Sequence, residues 1–295
     1  MKKLFPVFLI FLGGCATSAG KPELYFEPSL ERAMEIVGQT REGRGLLSYL
    51  DKNPVSVKYS DSISGPWPKF NPAEKEILIP ENVRRSDVLA GLLIARGLAE
   101  YRVYDSLNLS ETLAETEEIA AVTQAHIALE LGLEQGALLG SAAGKAALSE
   151  VCVYVAQGPE KFSGKILAES LSPNAEYQRP LETIDGAKKW LGRVKDAMAE
   201  GTLPQLLYER DMERVKKKTL TQARADANSA RVRSADPESL WRMQRQFFAS
   251  AGKTLDEAAA LGQKTLEEDL MWRRRNSALI SQRLAELTWC RVSPR

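Results

Sequence analysis

Residues 76–102 (EILIPENVRRSDVLAGLLIARGLAEYR) place a short strand directly before the most apolar helix that follows the N-terminal segment. Pro80 ends the strand because proline cannot donate a backbone hydrogen bond, and Ser86 is a candidate N-cap for the helix. The buried stripe of this helix is expected to contain Val88, Leu89, Leu92, Leu93, Ala95, Ala99 and Val103. A helix with so wide an apolar face predicts a central core element.

The rest of the chain indicates a mainly α fold. A second strand is predicted at 55–59 and ends before a Gly/Pro-rich loop at 60–73. With residues 76–79 it suggests a small two- or three-stranded antiparallel sheet, so the N-terminal half is expected to be α+β. A helix is predicted at 41–50. Everything after Ser86 shows helical periodicity, with further helices predicted at 137–155, 184–198, 204–232, from 237, and at 255–290. The C-terminal half is therefore predicted to be a helical bundle.

Residues 158–180 contain several Gly and Pro residues and are predicted to be irregular. This segment is the candidate boundary between an α+β domain at 29–158 and a helical domain at 159–295, which either stands alone or packs as one unit with the first.

The chain has 40 Lys plus Arg against 39 Asp plus Glu. Such a balance creates no field that would select nucleic acid. The basic runs 216–218 and 273–275 are expected to be solvated helix faces, with contact to anionic lipid head groups or glycan phosphates as the alternative.

The first fifteen residues read as a secretory signal. Lys2 and Lys3 precede an apolar run at 4–12, which is far shorter than the roughly 20 residues of a membrane-spanning helix. The following LGGC resembles the lipobox of bacterial lipoproteins, although an ordinary signal peptide with a chance cysteine stays open. The resemblance implies removal of residues 1–14, lipidation of Cys15 and a tether at 15–28. Ala16 then favours the outer membrane, facing the periplasm, over the inner membrane.

Two cysteines remain in the expected oxidising compartment, Cys152 and Cys290. Cysteines in such a compartment commonly pair. The sequence leaves open whether these two form a disulfide or lie apart as buried thiols.

The chain contains a single histidine, His126. An HExxH zinc site requires two histidines four residues apart on one helical face, so the chain cannot form one. A nucleophilic arrangement would have to combine His126 with a hydroxyl or with Cys152. Because His126 shares an apolar face with Ile119, Val122 and Leu129, we expect a hydrogen-bonded core histidine.

The order of features nevertheless resembles small secreted zincin-type metallopeptidases over residues 29–131. The matching segments are GRGLLSYL at 43–50, the strand at 55–59, GPWP at 65–68 and ILIP at 77–80. With Tyr101 aligned to an aromatic residue that commonly follows the second histidine, the resemblance places Ala95, Arg96 and Ala99 on the H, E and H positions. It also implies that Glu117 or Glu118 occupies the position of the third ligand. The implied site is therefore a vacated metal site without a cofactor.

Three environments stay open for Arg96: a pair with one of these carboxylates, a pair with Glu100 one helical turn away, or a solvated side chain. The sequence favours a non-catalytic envelope lipoprotein that is anchored by the lipid on Cys15 and binds another envelope protein. Two alternatives stay open: a hydrolase with a non-standard site around Glu117, Glu118 and His126, and a plain helical structural lipoprotein. The sequence does not indicate an oligomeric state.

Overall fold

A computed structural model describes residues 27–63, 65–71, 74–107, 109, 113–132, 138–171, 183–216, 223, 237–287 and 290, with the backbone alone at 204, 214, 216 and 237–250. The described residues form ten α-helices and one small sheet, so the predicted mainly α fold with α+β character is confirmed. The helices are α1 (Glu31–Gly38), α2 (Arg41–Leu50), α3 (Asp87–Leu107), α4 (Ala114–Leu131), α5 (Ala142–Gln157), α6 (Pro159–Leu171), α7 (Ile184–Ala199), α8 (Leu203–Lys216), α9 (Pro237–Arg275) and α10 (Ser277–Glu286).

The sheet contains strands β1 (Ser56–Ser60), β2 (Lys69–Asn71) and β3 (Glu76–Pro80) in the order β1-β3-β2. β2 and β3 are antiparallel, but β1 and β3 are parallel. The prediction of an antiparallel pair was therefore wrong for β1 and β3. The connection between them is long enough to carry the chain back to the same end of the sheet, and it contributes β2 on the way.

Helix α3 is the centre of the core, as its sequence predicted. It packs against α1, α2, α4 and the sheet, and most of its residues are buried. Gly97 permits its close approach to β3, since a Cβ atom there would lie 2.5 Å from Cγ2 of Ile77. The Ile77 side chain of β3 thus packs directly against the backbone of α3 at Gly97.

Residues 159–171 form helix α6, so the prediction of an irregular segment at 158–180 was wrong over this range. Gly158 has φ +85°, and Pro159 occupies the first helical position, where its missing N–H breaks no helical bond. Phe162 and Ile166 of α6 belong to the same buried cluster as α1, α3 and the sheet. The candidate boundary therefore runs through a shared core; residues 172–182 lie outside the described part.

The predicted last helix at 255–290 is two helices, because α9 ends at Arg275 and α10 begins at Ser277. The first part of the predicted helix at 204–232 corresponds to α8, which ends at Lys216. Most of residues 217–232 lie outside the described part of the chain. Cys152 of α5 and Cys290, just beyond α10, form a disulfide with Cα atoms 5.1 Å apart. Among the described helices, none is long and apolar enough to cross a membrane.

Candidate functional site

The most unusual buried group is the guanidinium of Arg96, whose residue is 1% exposed. Its Nε donates to Glu117 at 2.8 Å, and one terminal nitrogen donates to Gln124 at 2.9 Å and to Glu150 at 2.6 Å. The other terminal nitrogen lies 2.6 Å from Glu117. Arginine suits this position because its planar fork can serve several acceptors at once. Arg96 thus joins α3, α4 and α5.

Trp67 covers one side of this guanidinium. The Cζ atom of Arg96 lies 3.9 Å from the centre of the indole ring. Such cation–π contacts reach about 2 kcal/mol when they are desolvated. The GPWP loop therefore closes the cluster with an aromatic ring, and Trp67 itself is 6% exposed.

The cluster contains two carboxylates around one cation. Burial raises the pKa of Glu150, and the neighbouring Arg96 partly counteracts that rise. The second carboxylate oxygen of Glu150 has no hydrogen-bond partner within the part of the chain described here. Of the groups in this cluster, Glu150 is therefore the one whose ionised form burial disfavours most.

The residues implied by the zincin resemblance fall into three environments. Arg96 and Glu117 are brought together, whereas Ala95 and Ala99 are fully buried in the apolar core. Glu118 points away from this cluster and lines a cleft on the other side of α4. Within the described ranges, no group of three or more His, Cys, Asp or Glu residues is arranged to hold a metal ion.

His126 lies in a second buried polar cluster. Its Nε2 atom is 2.9 Å from the Tyr154 hydroxyl and 2.8 Å from a carboxylate oxygen of Asp269. The Tyr154 hydroxyl donates to the same carboxylate, and Trp272 stacks on the imidazole with ring centres 4.0 Å apart. His126 is therefore a hydrogen-bonded core histidine, and Cys152 is held in the disulfide rather than presented to it.

Arg273 completes the second cluster, so the expectation of a solvated run at 273–275 was wrong for this residue. Its Nε lies 3.4 Å from Asp269, and its guanidinium is 3.8 Å from the ring centre of Tyr154. Burial, followed by the charge of Asp269, raises the pKa of Tyr154, so its hydroxyl remains a donor. Asp269, Trp272 and Arg273 have i, i+3, i+4 spacing, which would have indicated one shared helical face.

A cleft of about 510 Å³ lies between α4, α6, α7 and α9. Glu118 lines it, and burial is the main cause of the raised pKa of this carboxyl. Glu115 also lines it and accepts hydrogen bonds at 3.0 Å from the backbone N–H of Ile184. Its negative charge is suited to that position because it lies at the N-terminus of α7.

Comparisons of the chain with protein-family models, with curated proteins and with solved structures found no match.

Proposed function

We propose that this chain is a non-catalytic envelope lipoprotein, a pseudo-peptidase-like scaffold that binds another envelope protein through its helical second half. The observation that carries the proposal is the Arg96 cluster. The resemblance to zincins assigns the place of a metal ion to the α3–α4 pair. A fixed side-chain cation now engages Glu117 there, the carboxylate that the resemblance assigns as third ligand.

The chemistry of the cluster supports a structural role. Glu117 and Glu150 both make short bonds to Arg96, so neither is free to act as a general base. All groups of the cluster are almost fully buried, and no cleft that we describe reaches them. Such a network fixes how three helices pack and does not present a reactive atom to a substrate.

Metal analysis of the purified full-length chain tests the absence of a metal site. After incubation with Zn²⁺ and removal of loosely bound ions, we expect well below one zinc per chain. The same measurement on Glu117→Gln and Glu118→Gln should give the same value. Stoichiometric zinc that disappears in either variant would refute the proposal and support the hydrolase.

One observation favours the alternative of a hydrolase around Glu118. A carboxyl with a raised pKa at the edge of a cleft is a candidate general acid. His126 has its Nε2 engaged by Tyr154 and Asp269, so it would not assist directly. Peptidase and glycosidase assays with the wild type and Glu118→Gln decide the matter, since activity lost in the variant would establish the alternative.

Lipidation and partner binding require separate experiments in cells. Mass spectrometry of the mature N-terminus should find an acylated Cys15, and Cys15→Ser should release the chain from the membrane fraction. A photo-crosslinking residue at exposed Tyr208 on α8 should form a defined adduct in the native envelope. The matched control is Glu35 on exposed α1 surface. Equal adducts at both positions would contradict a binding surface in the helical half.

A further inference from the structure

The cleft between α4, α6, α7 and α9 has the size and composition of a ligand site. Its volume of about 510 Å³ lies within the roughly 300–1,000 Å³ of small-molecule pockets. Its walls include the apolar side chains of Ile119, Phe162 and Leu266. Leu266 is 45% exposed, so an apolar surface continues from the cleft to its rim.

Most charged groups on the wall already have an opposite partner. Asp185 pairs with Lys189 at 2.9 Å, and Lys188 pairs with Asp256 at 2.6 Å. Glu115 accepts its two hydrogen bonds from the backbone at the start of α7. Asp269 is held by the second buried cluster described above. These groups gain little from a ligand charge because their own partners are in place.

Glu118 differs from them. Its carboxyl has a hydrogen bond with the Ser163 hydroxyl, and its charged neighbours Glu115 and Asp269 are both negative. Within the described ranges, no Lys or Arg forms an ion pair with it. The cleft therefore contains one carboxylate that an incoming cation would stabilise and an incoming anion would destabilise.

We propose that the cleft binds a small organic ammonium, with its apolar body against Ile119, Phe162 and Leu266 and its nitrogen against the Glu118 carboxylate. Charge complementarity selects the cation, and the apolar walls select an alkyl or aryl body over a simple inorganic ion. The site is on the opposite side of α4 from Arg96. Its test is thus independent of the function proposed above.

Calorimetric titration of the full-length chain with phenethylammonium tests the inference. Phenethyl alcohol keeps the body and removes the charge, and phenylpropionate reverses the charge. We expect phenethylammonium to bind about tenfold more tightly than the alcohol, as a charge-assisted bond at a half-buried site would give. Phenylpropionate should bind more weakly than either. Binding of the ammonium should weaken as the pH is lowered, because protons then compete for Glu118.

Two variants decide which residue is responsible. Glu118→Gln should make the affinities for the ammonium and the alcohol equal within about twofold, since one charge-assisted bond is replaced by a neutral one. Glu160→Gln is the matched control, because Glu160 is exposed on α6 and does not line the cleft. It should keep the wild-type preference. The absence of saturable binding by the wild type, or a preference retained in a folded Glu118→Gln, would overturn the inference.

Discussion

Replacing Arg96 by Met should remove a large part of the stability of this fold. The substitution leaves Glu117 and Glu150 buried without the guanidinium that binds them at 2.6 to 2.8 Å. Removal of one partner from a buried ion pair costs about 3–5 kcal/mol. The loss is limited because a stranded carboxylate can take up a proton, which costs about 1.4 kcal/mol for each unit by which the solution pH lies above the ordinary pKa of the carboxyl. We therefore expect a loss of about 3–5 kcal/mol at pH 7, and a smaller loss at pH 5.

Urea denaturation followed by circular dichroism measures this loss, provided that the slope of the transition is unchanged. Arg32→Met is the matched control, since Arg32 forms an exposed pair with Glu35 at 2.9 Å and should change stability by less than about 0.5 kcal/mol. Combining Arg96→Met with Glu117→Gln and Glu150→Gln should recover much of the loss, because no uncompensated charge remains. A loss below about 1 kcal/mol in Arg96→Met, or no recovery in the triple variant, would refute this reasoning.

Three further expectations concern other features of the core. The pKa of Glu150 in the folded protein is raised above its ordinary 4.5. Its contribution to stability is therefore complete below pH 4.5 and is lost as the pH rises through the higher folded value. The free energy of unfolding, measured by denaturation from pH 4.5 upwards, should decline in the wild type and decline less in Glu150→Gln. Replacing both Cys152 and Cys290 by Ala should lower the free energy of unfolding by up to about 4–5 kcal/mol, because the bridge closes a loop with a separation of 138 residues; dithiothreitol should destabilise the wild type and leave this variant unchanged. Gly97→Ala should destabilise the fold by roughly 1–3 kcal/mol, because its methyl group would lie 2.5 Å from the side chain of a strand residue. Gly45→Ala, whose methyl group meets open space on α2, should stabilise the fold by about 0.5–1 kcal/mol in the same assay.

Local sequence signals predicted the helices well where caps and periodicity coincide. Helix α2 has the predicted range of 41–50, and Thr40 caps it by accepting from the Gly43 N–H. Ser86 similarly accepts from the Leu89 N–H at 3.3 Å, as its position before α3 suggested. These features depend on residues within one or two turns, so a single sequence contains enough information to find them.

Features that depend on distant residues were not predictable in the same way. The direction of β1 relative to β3 is decided by the path of the connection, and alternation within each strand carries no information about that path. The Gly158–Pro159 pair was read as part of a loop, although it separates two helices. Gly and Pro mark the end of one helix and the start of the next as readily as they mark a loop.

The candidate site likewise combines features that the sequence suggested with features that depend on distant residues. A contact between Arg96 and Glu117 or Glu118 was one of the alternatives that the zincin resemblance suggested, but Trp67, Gln124 and Glu150 were not expected. Glu150 is 54 residues from its partner, and its position in the apolar sequence ALSEVCVYV was the available signal. A carboxylate in the middle of a buried helical stripe requires a buried cation or a proton. Searching for such residues would have identified Glu150 as a candidate without the resemblance.

Helix α4 explains why both polar clusters are useful to this fold. It is buried on almost every side and carries no distinct polar face, so apolar contacts alone would tolerate a shift along its neighbours. Glu117 and Gln124 bind Arg96 of α3, whereas His126 binds Asp269 of α9. A shift of α4 by one turn, about 5.4 Å, would break both sets at once and leave buried groups without partners. The two clusters therefore contribute less to net stability than to fixing the position of α4 along its neighbours. In this way they set the register between the N-terminal half and the C-terminal helices.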